Sequence, residues 1–167
     1  VQDTHDLFSA VETLSHMRPL KGEKIMIMSN GAAPAALAID ALWLRNGKLS
    51  ELTEETCSGL AKLLPASVEA NNPLDLRDDA TPEHYCQALS CMLDDSNIDT
   101  LLIIHAPSAA APATECAQAI IQQLKQHPRG KRLTILTNWC GEHSSIEARR
   151  LFSDAAIPTY RTPEGAI

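Results

Sequence analysis

Lys24-Ile25-Met26-Ile27-Met28-Ser29, Asn30-Gly31-Ala32-Ala33-Pro34 and Ala35-Ala36-Leu37-Ala38-Ile39-Asp40-Ala41-Leu42 follow one another without a break, and their reading decides the fold. The first run is apolar and has the length of a buried strand. Asn-Gly is turn chemistry, and proline suits the opening of a helix because its missing N–H and fixed φ cost nothing there. The alanine-rich stretch is a strong helix former. Strand, tight turn and helix start therefore come in that order, with Pro34 read as the first helical residue. A helix start presents N–H groups with no partner inside the helix, and these favour anions. The segment points to an α/β architecture that handles nucleotides or phosphate.

The same alternation extends in both directions. Thr4 to Met17 reads as a helix with Leu7, Phe8, Val11 and Leu14 on one face, ended by Pro19 and Gly22. The helix from Pro34 runs to Arg45 and stops at Asn46-Gly47, and Lys48 to Leu52 is a short strand candidate. Thr53 caps the next helix, Glu54 and Glu55 suit its positive end, and Pro65 follows its last turn. Asn71-Asn72-Pro73 forces an extended or turned backbone.

Thr81-Pro82 starts a helix that turns Tyr85, Ala88, Leu89 and Met92 inward, and Thr100 to Ile104 reads as a strand covered on both faces. Ala113 to Gln126 is helical, with Cys116, Ala117, Ile120, Ile121 and Leu124 as its stripe. Leu133 to Leu136 is a further buried strand. Ser144 or Ser145 opens a helix through Ala156, and Pro158 leads into a last strand at Thr159 to Arg161. Alternating elements of this kind predict a three-layer α/β sandwich, flavodoxin-like or Rossmann-like, with a mostly parallel sheet and helices on both faces.

The 167 residues suffice for one domain with a sizeable core. Residues 1–21 read as a leading helix or linker from a preceding subdomain, and 22–167 as a single α/β domain. Fourteen basic against 21 acidic side chains give a formal charge of −7, and the sequence reads as lacking a Lys/Arg cluster. Such a chain is a poor partner for nucleic acid. The apolar runs are too short to cross a bilayer and no leader pattern is read, so the expected location is the cytoplasm, without a membrane partner. Cys57, Cys86, Cys91, Cys116 and Cys140 have no C-x-x-C spacing and read as buried, reduced thiols. Val1 in place of a methionine, and Thr162-Pro163-Glu164 opening a helix at the very end, read as the edges of a piece of a longer polypeptide.

In an open parallel sheet, ligands sit beyond the carboxyl ends of the strands. Four loops are expected there: Asn30 to Ala33, Asn72 to Asp75, His105 to Ala111, and Trp139 to His143. The patterns G-x-G-x-x-G and G-x-x-x-x-G-K-[ST] are absent, so neither a dinucleotide nor a Walker-type nucleotide is supported. Asn30 and Gly31 suit a plain turn as well as a phosphate cradle. Asn72 and Asp75 suit a rigid turn bonded to nearby backbone, or a crevice in which Asp75 reaches a ligand. His105 and His143 could each act as a nucleophile or phosphate acceptor, but neither has an assignable partner, and a satisfied or solvated ring is the simpler state. His5, His16, His84 and His127 lie in or beside helices without a ligand-like neighbour, so no metal site is read. Trp139 reads as packing, and Glu142 beside His143 is too thin a signal for an acid–base pair.

Taken in order, these motifs resemble a known family. Ser29-Asn30-Gly31 with Pro34 and Asp40 resembles the T-N-G-G-G-P-G…D turn of the NDP-forming acyl-CoA synthetases, the succinyl-CoA ligase-like superfamily. Asn72-Pro73-Leu74-Asp75-Leu76 is similar to its N-P-x-D-L signature. Trp139-x-Gly141 and Ile157-Pro158-x-Tyr160-x-Thr162-Pro163-Glu164-x-Ala166 are similar to its W-x-G and G-I-P-x-y-x-T-P-E-x-A ending. The wording is closest to the synthetase-like N-terminal region of bacterial GNAT-type protein lysine acetyltransferases.

The resemblance implies a flavodoxin-like module docked on another subdomain that carries a phosphohistidine, with Asn30, Gly31, Ala32 and Ala33 as the phosphate-facing turn. It implies acetyl-CoA or CoA and ATP or ADP as ligands of the parent. The implied partners are the parent's other subdomains, a small-molecule acyl-CoA or nucleotide, and protein substrates. Ala32, Ala33 and Ala35 stand where the family shows glycines. Glycine permits φ > 0 and close approach to an oxyanion, and alanine restricts both, so the turn reads as relaxed. The expected function is thus a non-catalytic docking or regulatory module of a lysine acetyltransferase. The alternatives are a domain of a working ADP-forming acyl-CoA synthetase, and a flavodoxin-like binding module unrelated to CoA.

Overall fold

A computed structural model describes residues 7, 10, 11, 13, 14 and 22–167. The elements are β1 (Lys24–Ser29), α1 (Ala32–Leu44), β2 (Lys48–Leu49), α2 (Glu54–Leu63), β3 (Leu74–Asp75) and α3 (Pro82–Asp94), then β4 (Thr100–His105), α4 (Ala113–Gln126), β5 (Thr134–Trp139), α5 (Ile146–Asp154), β6 (Thr159–Tyr160) and α6 (Pro163–Ala166). The described strands form one parallel sheet in the order β2-β1-β4-β5-β6, with β3 also paired to β1. The predicted three-layer α/β architecture is what forms.

Period-two alternation along the central strands sorts the core into two halves. Met26, Met28, Leu101, Ile103, Ile135 and Trp139 face one side, where helices α2 to α5 bring Leu60, Leu89, Met92, Ile120 and Phe152 against them. Ile25, Ile27, Leu102, Ile104 and Leu136 face the other side, met by Ala35, Ala38 and Leu42 of α1 and by Ala166 of α6. Small residues on α1 let the helix sit close to the sheet. Its outer face keeps Leu37, Trp43 and Leu44 exposed.

Helix boundaries follow their caps. Thr53 accepts from the Thr56 amide, and Thr81 forms a reciprocal capping pair with His84. Thr162 accepts from Gly165 N–H, as its position before Pro163 predicts. Several boundaries differ from expectation: β2 ends at Leu49 and not Leu52, α5 runs Ile146–Asp154 and not through Ala156, and β6 ends at Tyr160 and not Arg161. α1 begins two residues before Pro34, which is tolerated because the first N–H groups of a helix have no intrahelical acceptor. β5 runs on to Trp139, which is therefore a strand residue. β3 was not foreseen: its two residues pair only with the end of β1. At the stop of α1, the left-handed residue is Asn46 (φ 57°), and Gly47 N–H returns to Leu42 O at 2.9 Å.

In the leading segment, residues 7, 10, 11, 13 and 14 are helical, and Leu7, Val11 and Leu14 of the expected face are exposed. Thr13 hydrogen-bonds the Tyr160 hydroxyl. Phe8, His5, His16, Pro19 and the ends placed at Thr4 and Met17 lie outside the described residues. Of the five cysteines only Cys116 is fully buried, which pushes its thiol up to about 12; the other four are half-buried, which corrects the reading of all five as buried.

Candidate functional site: the turn at the carboxyl edge of the sheet

β1 and β4 end side by side, so the chain leaves the sheet twice at adjacent points, after Ser29 and after His105. Asn30 joins the two exits. Its Oδ1 accepts from Ala106 N–H at 2.7 Å and its Nδ2 donates to Ala106 O at 2.9 Å. The side-chain amide thereby extends the β1–β4 ladder by one step, and Asn30 is buried. Ser29 Oγ, also buried, accepts from Gly31 N–H at 3.0 Å and donates to Gly31 O at 2.8 Å. Space at Gly31 is tight: a Cβ there would lie 3.1 Å from Ala106 Cβ and 3.4 Å from Pro34 Cδ.

The turn therefore points α1 at the carboxyl edge with a fixed entry angle. Ala32 and Ala33 open the helix with exposed side chains, and Ala35 N–H is the first to bond back, at 3.4 Å to Gly31 O. Among the described residues, the Ala32 and Ala33 N–H groups have no acceptor, and no acidic residue stands in the first turn. Both groups can receive an oxyanion, aided by the positive end of the helix. No residue from Ser29 to Ala35 has a positive φ, since Gly31 itself is extended at −145°. The expectation that alanine restricts this turn through its backbone is corrected here, because the path taken needs no left-handed residue.

Two further loops adjoin. In the β4–α4 loop, Ser108 Oγ donates to Asp78 O at 2.6 Å and accepts from Ala110 N–H at 3.2 Å. In the β5–α5 loop, Arg149 clamps the carbonyls of Trp139, Gly141 and Glu142 at 2.8–3.0 Å. Gly141 (φ 93°) needs its left-handed conformation, and a Cβ there would also press on Pro107 at 3.2 Å. Ser145 Oγ donates to Cys140 O instead of capping α5.

The structure does not bring all the expected residues together. Asn72 sits lower on the sheet, in the gap between β2 and β3, both of which pair with β1. There it accepts from Ile27 N–H at 3.1 Å and donates to Ile25 O and Ser50 O, each at 2.9 Å. Its amide fills the break in the edge strand, and the Asn72–Pro73 bond is cis. Asp75 lies beside Ser29 at the carboxyl edge, but its carboxylate takes Arg77 N–H at 2.9 Å and stands 3.7 Å from the Arg77 guanidinium.

His105 is fully buried within a row of rings. It stacks on Trp139 (centroids 5.1 Å apart, 13° between planes), and Trp139 meets Phe152 edge-on at 4.6 Å. Nε2–H donates to Ala111 O at 2.7 Å, leaving Nδ1 without a partner, and burial lowers its pKa. A ring so enclosed supports the loop; it is not presented to a substrate. His143 is exposed, and Glu142 pairs with Arg161 at 3.0 Å. Sequence reasoning named Ser29 only within the turn motif and gave no role to it, to Ala106 or to Arg149. Ser29 acts through its hydroxyl and Ala106 through its backbone, and only the Arg149 position after a glycine-containing loop left a faint signal.

No model of a known protein family matches the chain. Curated relatives do. The alpha subunit of acetate–CoA ligase (ADP-forming) II from Pyrococcus furiosus is 34% identical over 146 residues, covering 86% of this chain and 32% of that one. The acetate–CoA ligase (ADP-forming) of Methanocaldococcus jannaschii is 30% identical over 162 residues, 97% of this chain and 23% of its own. The chain thus spans at most about a third of the relatives it matches. A crystal structure of a Pyrococcus horikoshii OT3 protein superposes with a TM-score of 0.87 at 30% identity, covering 99% of this chain and 38% of that one. The dinucleotide-forming acetyl-coenzyme A synthetase 1 of Ca. Korarchaeum cryptofilum, in complex with phosphate and ADP, shares the fold (TM-score 0.91, 22% identity, 99% of this chain and 35% of that one). The homologues of this chain are therefore ADP-forming acyl-CoA synthetases, of which it corresponds to one α/β segment.

Proposed function

We propose that residues 22–167 are the α/β module of an ADP-forming acyl-CoA synthetase, with 1–21 joining it to a preceding subdomain. In this reading the turn Asn30–Ala33 faces a phosphoryl group carried by another subdomain. The observation that carries it is the pair of open N–H groups on Ala32 and Ala33, held at the carboxyl edge by the Asn30–Ala106 tie. Two fixed donors at a helix N-terminus stabilise an oxyanion without moving at the moment of transfer. The relatives support the rest: acyl-CoA, CoA, ADP and ATP would be ligands of the whole protein, and its other domains the partners of this one. The module has no nucleophile of its own at the turn, so it assists transfer and does not perform it.

A second reading keeps the same surface but assigns it to docking and regulation in a protein lysine acetyltransferase that uses acetyl-CoA, with proteins as substrates. Ala32 and Ala33 favour it, because their exposed methyls stand beside the open amides where the resemblance has glycines. One experiment separates the two. The full-length protein is incubated with γ-labelled ATP and examined for acid-labile phosphohistidine. Label that is lost in Asn30→Ala supports the synthetase. Absence of label, with acetyl transfer to protein lysine that survives Asn30→Ala, supports the acetyltransferase.

A further inference from the structure

We propose that the opposite edge of the sheet carries a binding site for a small aliphatic carboxylate. A cavity of about 550 Å³ opens there, between the end of α4, the start of β5 and the turn at residues 155–158 that follows α5. That volume lies within the range of sites for small organic ligands, about 300–1,000 Å³. Its apolar wall includes Leu124, Ile157 and Pro158, and its mouth holds Lys125, Lys131 and Arg132. No carboxylate lines it, and among the described residues none of the three cations has an ion-pair or hydrogen-bond partner through its side chain. The reading of the sequence as lacking a basic cluster is corrected here: Lys125, Arg129, Lys131 and Arg132 all fall within residues 125–132, and Lys125, Lys131 and Arg132 line the opening.

Three like charges around one opening repel each other, and in a chain of formal charge −7 they are an unusual grouping. Lys125 alone is accounted for by the negative end of α4, in whose last turn it lies. Lys131 and Arg132 are outside the helix. The cavity is also built: a Cβ at Gly130 would lie 2.0 Å from Leu124 O, so glycine lets the loop fold back against the helix end and form one wall. Ala156, left-handed at φ 56°, turns the opposite wall toward Ile157. An anion with an apolar body satisfies both halves of this lining. The wall has no aromatic ring to stack a base, which favours an aliphatic acid over a nucleotide.

This site is remote from the turn at the carboxyl edge and does not rest on the function proposed for it. The test is calorimetric titration of the full-length protein with octanoate, octan-1-ol and AMP. Saturable octanoate binding is expected, weakened about tenfold or more in Lys125→Gln/Lys131→Gln/Arg132→Gln and also by high salt, since exposed charges are screened. Octan-1-ol, which keeps the chain and loses the charge, should bind more weakly than octanoate. A diazirine-bearing octanoate should label the peptides spanning 121–135 and 155–158. No saturable binding, binding unchanged in the triple variant, tighter binding of AMP, or labelling confined to other peptides would each overturn the proposal. The three side chains are exposed, so a melting curve like the parent's is expected for the variant.

Discussion

Asn30 and Asn72 stand at the head of similar short motifs, and both amides end up bonded to backbone on both sides, yet they do opposite things. Asn72 closes a ladder: three hydrogen bonds to backbone groups fill the interval between β2 and β3. Asn30 closes a ladder too, but two residues before a helix, so its tie aims the unpaired amides of Ala32 and Ala33 outward. A polar side chain in a turn is therefore not itself the sign of a site. What distinguishes the two is whether fixing the backbone leaves something open next to it.

The largest expected effect breaks the comparison on the structural side. Asn72→Ala strips acceptor and donors from Ile27 N–H and Ser50 O and should lower unfolding stability by about 3 kcal/mol in urea, at about 1–3 kcal/mol for each buried group left unpaired. Activity per folded molecule should hold. Asn30→Ala loses two bonds and should cost about 2 kcal/mol on the same scale. Here any phosphotransfer by the full-length protein should fall more than stability does. Equal activity loss in the two variants would erase the distinction drawn between them.

Neither asparagine titrates, so both variants should move the stability-versus-pH curve down without changing its shape. The shape comes from elsewhere. Burial lowers the His105 pKa, so the unfolded chain takes up that proton first, and stability should decline as pH falls below about 6.5 toward the folded value. Asp95 adds a lower limb. Burial raises its pKa, but bonds from Thr56, Thr53 and Asn97 outweigh this and leave it lowered. Its stabilisation is present above about pH 4 and is lost as pH falls through the folded pKa. His105→Gln should flatten the upper limb alone. The smallest effect is expected from Ala32→Gly/Ala33→Gly, since the turn needs no positive φ: lysine acetylation, where the parent performs it, should stay nearly unaltered, and the helix should lose about 1–2 kcal/mol at most.

Much of the architecture was legible because local and tertiary preferences agree. The bounds of α4 at Ala113 and Gln126 follow from its stripe of Cys116, Ala117, Ile120, Ile121 and Leu124, all of which are buried. Of the two-residue strands, β2 and β6 were read at Lys48 and Thr159 but drawn too long, and β3 was missed. β3 owes its existence to pairing with Met28 and Ser29, more than 40 residues earlier, and nothing local marks it. The site was legible in half. Asn30 and Gly31 were visible as turn residues, but the partner that makes the turn rigid is a backbone unit 76 positions away. The cavity at the far edge was hidden for the same reason: its cations stand close together in the sequence at 125–132, but its walls join residues 121–135 to residues 155–158, which meet only in the folded chain.

The two tryptophans of this protein sit in opposite circumstances. Trp139 is sealed beside His105, whereas Trp43 is 65% exposed on the outer face of α1. Emission from the first should respond to imidazole protonation and to melting. The second should be quenched by acrylamide until something covers that helix. Intrinsic fluorescence can thus report unfolding and docking as separate signals, without an added dye.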